Sequence, residues 1–330
     1  MFAQPSKEPP KEAWDAHLYK EDDQVISFHG EFLFWKTVAG GLDYALKTNG
    51  NAWGPANTYA LGTFENSTYN IEPGFRVSAS FFRAPKSWEV WGSYTRLTAS
   101  GEDSAHKPSV LNQYLTGTWA QIVPNPLAEA STYIHLNYNV ADMYVDRYFL
   151  PNPHLRLRLI GGITGVWMDQ FWSIRYRDAV NNHTHITNRW KFGGAGLRFG
   201  TMVDWFWTHN IYFTAKGTVA VCIGSYHNQS RQMTNYAPSI NYNTSLPIRN
   251  ASYRDTRPTT SLQVLVGPSY QKNFKSARME FFVGYELTGW INLQEIYRSG
   301  AGAPGDAKET FINSSMLAFQ GLTTRVTVDF

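Results

Sequence analysis

Three long stretches of this chain alternate apolar and polar residues with a period of two. In the first, Leu155, Leu157, Leu159, Gly161, Ile163, Gly165 and Trp167 fall on one face, and Arg156, Arg158, Ile160, Gly162 and Thr164 on the other. In the second, Ile211, Phe213, Ala215, Gly217, Val219, Val221 and Ile223 oppose Tyr212, Thr214, Lys216, Thr218, Ala220, Cys222 and Gly224. In the third, Met279, Phe281, Val283, Tyr285, Leu287, Gly289, Ile291 and Leu293 oppose Arg278, Glu280, Phe282, Gly284, Glu286 and Thr288. Successive side chains of a strand point to opposite faces, so the pattern predicts strands with one apolar face. Strands of soluble sandwiches are usually ~5–6 residues long. These stretches are longer, and suit strands that cross a membrane at a steep tilt, for which ~9–11 residues are needed.

Composition narrows the choice. Mean hydropathy is −0.36, and no run approaches the ~18 consecutive apolar residues of a transmembrane helix, so a helical membrane bundle is excluded. Aromatic residues make up 15% of the 330, which suits a barrel with an aromatic girdle at each interface. A formal charge of +3 is too small to point to nucleic acid. Cys222 is the only cysteine, which rules out a disulfide within the chain and a cysteine-based metal site. Neither a Walker A pattern nor HExxH occurs. Residues 1–25, rich in Pro, Lys, Glu and Asp, lack the apolar core of a signal peptide. They read as an extended or disordered periplasmic lead, with a secretion signal already removed, ahead of a barrel over 26–330.

The expected fold is all-β: an antiparallel up-and-down transmembrane barrel of ten strands, with twelve as the alternative. The strands are placed at Ile26–Val38, Asn70–Arg83, Ser87–Thr98, Thr132–Tyr148, His154–Tyr176, Arg189–Trp207, Asn210–His227, Arg257–Lys272, Arg278–Ile296 and Ile312–Phe330. Short connections follow Arg83, Tyr148, Trp207 and Lys272. Long ones span Ala39–Tyr69, Ala99–Ser131, Arg177–Asn188, Asn228–Thr256 and Tyr297–Phe311. Short periplasmic turns alternating with long extracellular loops are the habit of outer-membrane barrels, and an even strand count leaves both termini in the periplasm. Within Thr132–Tyr148 the apolar set Ile134, Leu136, Tyr138 and Val140, read as outward, runs into Asp142, so a bulge is expected there. Tyr114–Val123 has strand-like composition and is where an extra hairpin would form.

The chain ends LTTRVTVDF, with Leu322, Thr324, Val326, Val328 and Phe330 on one face. A terminal Phe closing an amphipathic strand resembles the signal read by barrel-assembly machinery, which makes that machinery an expected partner. Gly321 departs from the spacing usual for that signal's glycine.

Several segments in order resemble the Legionella-type major outer membrane protein family, which also occurs in chlamydia-like bacteria. Glu31–Leu46 (EFLFWKTVAGGLDYAL) resembles its first strand and loop; Glu72–Phe81 (EPGFRVSASF) and Trp88–Leu97 (WEVWGSYTRL) are similar to its second and third strands. Leu136–Phe149, Gly162–Gln170 and Gly193–Gly200 continue the series. The resemblance implies an abundant barrel in the outer membrane of a Gram-negative bacterium, with pore activity. Some such proteins are cysteine-linked, a pattern from which a chain with Cys222 alone departs.

In a porin the working surface is the lumen. The expected pore-lining residues are Arg76, Arg156, Arg158, Arg198, Lys216, Glu280, Glu286 and Arg325, and the same inward parity collects Arg147, Arg278, Glu31, Glu89, Asp204 and Asp329. Arg156, Arg158, Arg198 and Lys216 would form a basic ladder facing Glu280 and Glu286. Eight basic against six acidic groups predicts a weak anion preference in ion transport. The expected lipid-facing residues are Leu157, Val219, Val221, Phe281, Val283, Val326 and Phe330. The alternative is that the charges pair across a narrow lumen and fill it, because barrels of ~8 strands are filled by side chains and clear channels appear at ~16–18. The function expected is passive diffusion of small hydrophilic solutes, with no enzyme activity and no cofactor, metal or nucleic acid. Outer-membrane lipid and further copies of the chain are the other expected partners. Loop aromatics Trp53, Tyr59, Trp119, Tyr236 and Tyr242 would serve surface or host contact, or fold over the mouth as a lid. His183 and His185, with Asp178 nearby, are a candidate for a metal or for a rim-active hydrolase, which would need a Ser/His/Asp or Asp/His cluster assembled from several loops; the sequence offers candidates but no ordered motif. Gly161, Gly162, Gly165, Gly193, Gly194, Gly196 and Gly200 sit inside alternating strands, where they permit curvature or close packing rather than cradle phosphate.

Overall fold

The computed structural model describes residues 24–48, 62–83, 87–111, 113–119, 123, 126–235, 246–274, 277–298 and 311–330. The strands, in chain order, are β1 (Gln24–Ala39), β2 (Asp43–Thr48), β3 (Gly62–Asn66), β4 (Ile71–Arg83), β5 (Trp88–His106), β6 (Tyr114–Gly117), β7 (Leu127–Asn152), β8 (Leu155–Asp178), β9 (His183–Phe206), β10 (Ile211–Thr234), β11 (Leu246–Asn273), β12 (Arg278–Arg298) and β13 (Phe311–Asp329). Ten of them close a ring in the order β1-β4-β5-β7-β8-β9-β10-β11-β12-β13, every neighbour antiparallel, and β13 returns to β1 from Ser27–Asp329 to Ala39–Leu317. Closure removes the free edges that an open sheet would leave unpaired in lipid. The remaining three, β3-β2-β6, form a small sheet joined to the wall at the pair Leu115–Leu127. The expected extra hairpin is therefore partly present, as β6, yet it adds nothing to the wall.

One end of the ring carries the short turns. The β9–β10 turn is closed by Trp207 and Thr208 amides donating to the Ile211 carbonyl, with the Thr208 hydroxyl accepting from the Asn210 and Ile211 amides. The other end carries the long connections, and there the wall is taller than expected. Most of Arg177–Asn188 and Asn228–Thr256 is not loop: β8 and β9 pair up to Arg177–His183, and β10 and β11 up to Thr234–Leu246. A continuous antiparallel ladder satisfies backbone groups that polar side-chain composition alone had assigned to loops.

Outward apolar residues form a belt nearest the short-turn end. Leu159, Ile163 and Trp167 of β8, Leu197 and Phe199 of β9, Val219, Val221 and Ile223 of β10 and Phe281 of β12 are all exposed on the outer surface. Leu155–Trp167 rises about 30 Å for strands tilted by ~40°, which matches a bilayer's hydrocarbon thickness. Trp88, Phe149, Trp205, Trp207, Tyr270 and Phe330 stand exposed at the short-turn end. All seven expected lipid-facing residues point outward; Leu157 and Val283 are half-buried against neighbouring side chains.

Two parity expectations are corrected. On β7 no bulge interrupts the ladder between Glu129 and Phe149. Ile134, Leu136, Tyr138 and Val140 point inward, buried, in continuous register with Asp142, Tyr144 and Asp146. Arg147 consequently points outward, where its guanidinium packs over Trp88 and Phe149 at the girdle. On β12 a register shift between Trp290 and Gln294 turns Leu293, expected outward, into the core. Asn292, at φ 63°, is the residue that absorbs this turn.

Inward glycines sit where neighbouring strands approach closely. A Cβ on Gly196 would lie 2.0 Å from the Val221 carbonyl oxygen, and one on Gly162 2.4 Å from the Cβ of Tyr144. Close packing of this kind holds for Gly162, Gly194, Gly196 and Gly200, whereas Gly161 and Gly193 face outward with no neighbour closer than 3.7 Å to such a Cβ.

Candidate functional site: the two-storey interior

The interior has two storeys of opposite chemistry. The lower, at the short-turn end, is charged. Arg76 of β4 donates to Glu31 of β1 at 2.6 Å and to Glu286 of β12 at 2.8 Å. Arg325 meets Glu280 at 2.8 Å, Arg278 meets Asp329, and Arg156 meets Asp204 at 2.9 Å. Arg158 meets Glu89 at 2.8 Å and Asp146 at 3.6 Å, and Arg198 meets Asp142 at 3.0 Å. Lys216 lies over the Tyr144 ring, and His29 stacks on Trp91 with ring centroids 4.2 Å apart. The arginines and carboxylates of these pairs are buried or nearly so. Ions removed from bulk water are tolerated when paired and hydrogen-bonded, and most of this storey meets that requirement through its ion pairs and through hydroxyl and amide partners such as Thr95, Thr218, Gln263 and Thr323. The space left among these side chains is a cavity of ≈ 50 Å³, room for only a few waters.

All eight expected pore-lining residues point into this storey. Their grouping differs from expectation. Arg156, Arg158 and Arg198 do not form an uninterrupted basic ladder, since each is interleaved with a carboxylate. Glu280 and Glu286 belong to Arg325 and Arg76 rather than to a wall facing the ladder. Arg147 leaves the inward set, and Asp142 and Asp146 join it. The storey therefore holds seven basic and eight acidic groups, and the expected basic excess disappears. Sequence reasoning passed over His29, although it shares the parity of Glu31. It missed Asp142 and Asp146 for a different reason, because the orientation of β7 was inverted.

The upper storey is aromatic and apolar. Tyr138 of β7 packs against Phe319 of β13, centroids 4.3 Å apart, and against Trp290 of β12 at 6.5 Å. Strands β7 and β12 lie five places apart in a ring of ten, so this contact crosses the full diameter. Above it, Trp172 donates to Ser67 Oγ at 2.9 Å and Thr132 Oγ1 at 2.8 Å, and meets Trp119 edge-on. Trp190 donates to Gln294 Oε1 at 3.1 Å, joining β9 to β12. The small sheet lies inside this storey: Tyr44, Ala45, Leu115 and Trp119 belong to the buried core, and the Tyr176 hydroxyl donates to the Tyr44 carbonyl at 2.5 Å. Arg298 clamps the small sheet through Asp43 at 2.6 Å and lies over Trp119. Of the loop aromatics proposed for contact or a lid, Trp119 is thus buried inside the barrel. Trp53, Tyr59, Tyr236 and Tyr242 lie outside the described residues, as does the lead up to residue 23.

At the upper rim, His185 Nε2 is 2.9 Å from the Ser173 hydroxyl. Burial, reinforced by Arg175, lowers the pKa of His185 from its ordinary value. Asp178 does not join the two histidines: its buried carboxylate accepts from the Val180 and Asn182 amides and closes the β8–β9 turn.

A closed ring with an apolar belt of bilayer height, aromatic residues at its edge and a charged interior at the level of the belt defines an outer-membrane β-barrel. The family model of the Legionella pneumophila major outer membrane protein precursor matches residues 21–330, so the chain belongs to that family and resides in the bacterial outer membrane. No match is found among curated proteins. Solved structures similar to this chain include the outer membrane protease OmpT from Escherichia coli, 10% identical, covering 93% of this chain and 96% of that one, with a TM-score of 0.40. The P. putida toluene transporter TodX is 7% identical, covering 93% and 90%, with a TM-score of 0.29. The CymD monoaromatic hydrocarbon channel is 10% identical, covering 94% and 88%, with a TM-score of 0.30.

Proposed function

We propose that this protein is a closed outer-membrane barrel, a structural and surface-exposed component that passes no hydrophilic solute in its resting form. The contact of Tyr138 with Trp290 and Phe319 across the full diameter carries this reading. Ten strands leave an interior little wider than its own side chains, and the paired charges below occupy the rest. The proposal includes no covalent chemistry: among the described residues no carboxylate is hydrogen-bonded to His185, so its contact with Ser173 lacks the orienting third group of a hydrolase. The full chain refolded into a planar bilayer should show no discrete conductance steps. Steps from the unmodified chain would overturn the reading.

A second reading, passive diffusion of small hydrophilic solutes, is favoured by how the small sheet is held. It joins the wall ladder at one pair, Leu115–Leu127, and among the described residues one ion pair, Asp43–Arg298, ties it to the wall beside the hydrogen bonds of Tyr44 with Asp103 and Tyr176. If it withdraws and frees Tyr138, Trp290 and Phe319 to part, the charged storey becomes the selective part of a pore. Asp43→Ala combined with Arg298→Ala would then produce conductance steps where the unmodified chain is silent. Silence from both favours the closed barrel, and silence with cell binding adds a role for the loops.

A further inference from the structure

The wall above the belt is not uniformly charged. On the outward face of β8 to β11, the register places Asp169, Lys191, His227 and Arg254 in one row across the four strands. Arg189 stands in the next row up, Arg231 in the one above it, and Arg175 in the one above that. Arg189 and Lys191 share the single carboxylate of Asp169, at 2.5 Å and 3.6 Å. Among the described residues no carboxylate lies within ion-pair distance of Arg175, Arg231 or Arg254, and all three are exposed. Five cations therefore face one anion. On the far side of the ring, the corresponding outward positions of β1, β4 and β13 are Val38, Ile71 and Met316, with Lys36 alone carrying charge.

The position of this patch decides what it can meet. It lies on the outer surface, its lowest row two residues above Trp167, four above Ile223 and six above Leu197 of the belt, so its lower rows sit at the headgroups of the surrounding lipid. The long-loop end is extracellular by the alternation of turn lengths, so that lipid is the outer leaflet. From the spacing of neighbouring strands, Lys191 and Arg254 are about 10 Å apart with His227 between them, and Arg231 stands above. Guanidinium groups recognise phosphate oxygens in forked pairs, with lysine adding a point charge.

We propose that the outward face of β9–β11 binds the bisphosphorylated diglucosamine headgroup of lipopolysaccharide, with Lys191, Arg231 and Arg254 holding its phosphates and the acyl chains lying on the belt below. This site is independent of whether the lumen conducts.

The test uses the full refolded chain in detergent, titrated with fluorescent bisphosphorylated lipid A and followed by native mass spectrometry of retained lipid. The unmodified chain should bind lipid A at least tenfold more tightly than its dephosphorylated form. Lys191→Ser with Arg231→Ser and Arg254→Ser should weaken lipid A at least tenfold, while Arg231→Lys with Arg254→Lys stays within threefold. Arg147→Ser, at the opposite girdle, should change nothing. Heat-modifiable gel mobility reports that each variant is folded. Raising salt should weaken the unmodified chain more than the triple variant, because exposed charges are screened over ~3 Å at 1 M. Folded triple variant retaining lipid A within twofold of the unmodified chain would overturn the proposal. So would phosphatidylglycerol binding as tightly as lipid A, which would make the patch an unselective anionic surface.

Discussion

The lower and upper halves of β8 obey opposite rules. From Leu155 to Trp167 the strand sends Leu157, Leu159 and Ile163 outward and Arg156, Arg158 and Thr164 inward. From Met168 to Asp178 it sends Met168, Trp172, Ile174 and Tyr176 inward and Asp169, Arg175 and Arg177 outward. Neither the backbone nor its pairing changes at the junction; the solvent does. Below it the outer face meets hydrocarbon and the inner face must satisfy charge. Above it the outer face meets water and the inner face becomes an ordinary hydrophobic core. The inversion marks the edge of the bilayer, and it divides the molecule into a transmembrane part and an aromatic-filled part above it.

If the lower storey is held by paired charges in a dry interior, breaking one pair should produce the largest effect. Arg76→Met leaves Glu31 and Glu286 without their shared cation and should cost ~3–5 kcal/mol in urea unfolding from lipid vesicles, the usual result of orphaning a buried charge. Arg76→Met combined with Glu286→Leu should recover much of that loss. A single variant that unfolds like the unmodified chain would mean that water reaches this storey freely, and the contrast with the upper storey would fail.

The belt predicts the next effect. Val221→Arg places a charge at mid-membrane on the lipid face, where it should cost ~2–4 kcal/mol in the same unfolding measurement. A loss under ~1 kcal/mol would put Val221 outside the hydrocarbon and shift the assigned edge of the membrane.

The same inversion explains what could be read from the sequence. The strands around Leu157, Val221 and Phe281 were legible because apolar residues there face lipid and polar ones face the lumen, so period and direction agree. On β7 the apolar set Ile134–Val140 belongs to the upper core. A rule that sends apolar residues outward therefore read its direction backwards, carried Arg147 into the lumen and left out Asp142 and Asp146. The upper parts of β9 and β10, with His183, His185 and Gln229, looked like loop because their outward faces meet water, and Asn228, buried beside them, added a polar residue to the inward face. The partners of Arg76 were beyond sequence reasoning: Glu286 lies 210 positions away, and only ring closure brings them together. The small sheet was legible only in part: β6 falls within the strand-like stretch Tyr114–Val123, whereas β2 and β3 were not seen. Strands of 5–6 residues, such as β2 and β3, give too few repeats of the alternation to stand out from loop sequence.

The upper storey should respond in a smaller and more local way. Trp172→Phe removes a buried donor while Ser67 and Thr132 keep their mutual bond at 2.8 Å. The cost should be about 1 kcal/mol, the net worth of one such hydrogen bond. The more informative readout is hydrogen exchange. Amides of β2, held beside Trp119 and Tyr176, should exchange faster, whereas those of β1 and β13 in the belt should not change. Uniform acceleration throughout the barrel would mean that the two parts unfold together.

The smallest expected effect is the one that tests the inversion itself. Gln229 lies on the same outward face of β10 as Val221, eight residues higher, and is exposed. The register sets it opposite Arg189 on β9 and Ser252 on β11, well above Ile223. Gln229→Arg introduces the same side chain as Val221→Arg on the same strand and with the same parity, so intrinsic strand preference largely cancels between the two. Only the surrounding medium differs. In water an added guanidinium keeps its hydration, and repulsion from Arg189 and Arg231 is screened within a Debye length of ~8–10 Å at physiological salt. The change in stability should stay within ~0.5 kcal/mol, as for other surface substitutions. Urea unfolding of the two variants side by side, in vesicles of one lipid, measures the step across the bilayer edge directly. Equal losses at both positions would place Gln229 in hydrocarbon as well, and the cationic rows above the belt could then no longer be assigned to the headgroup region.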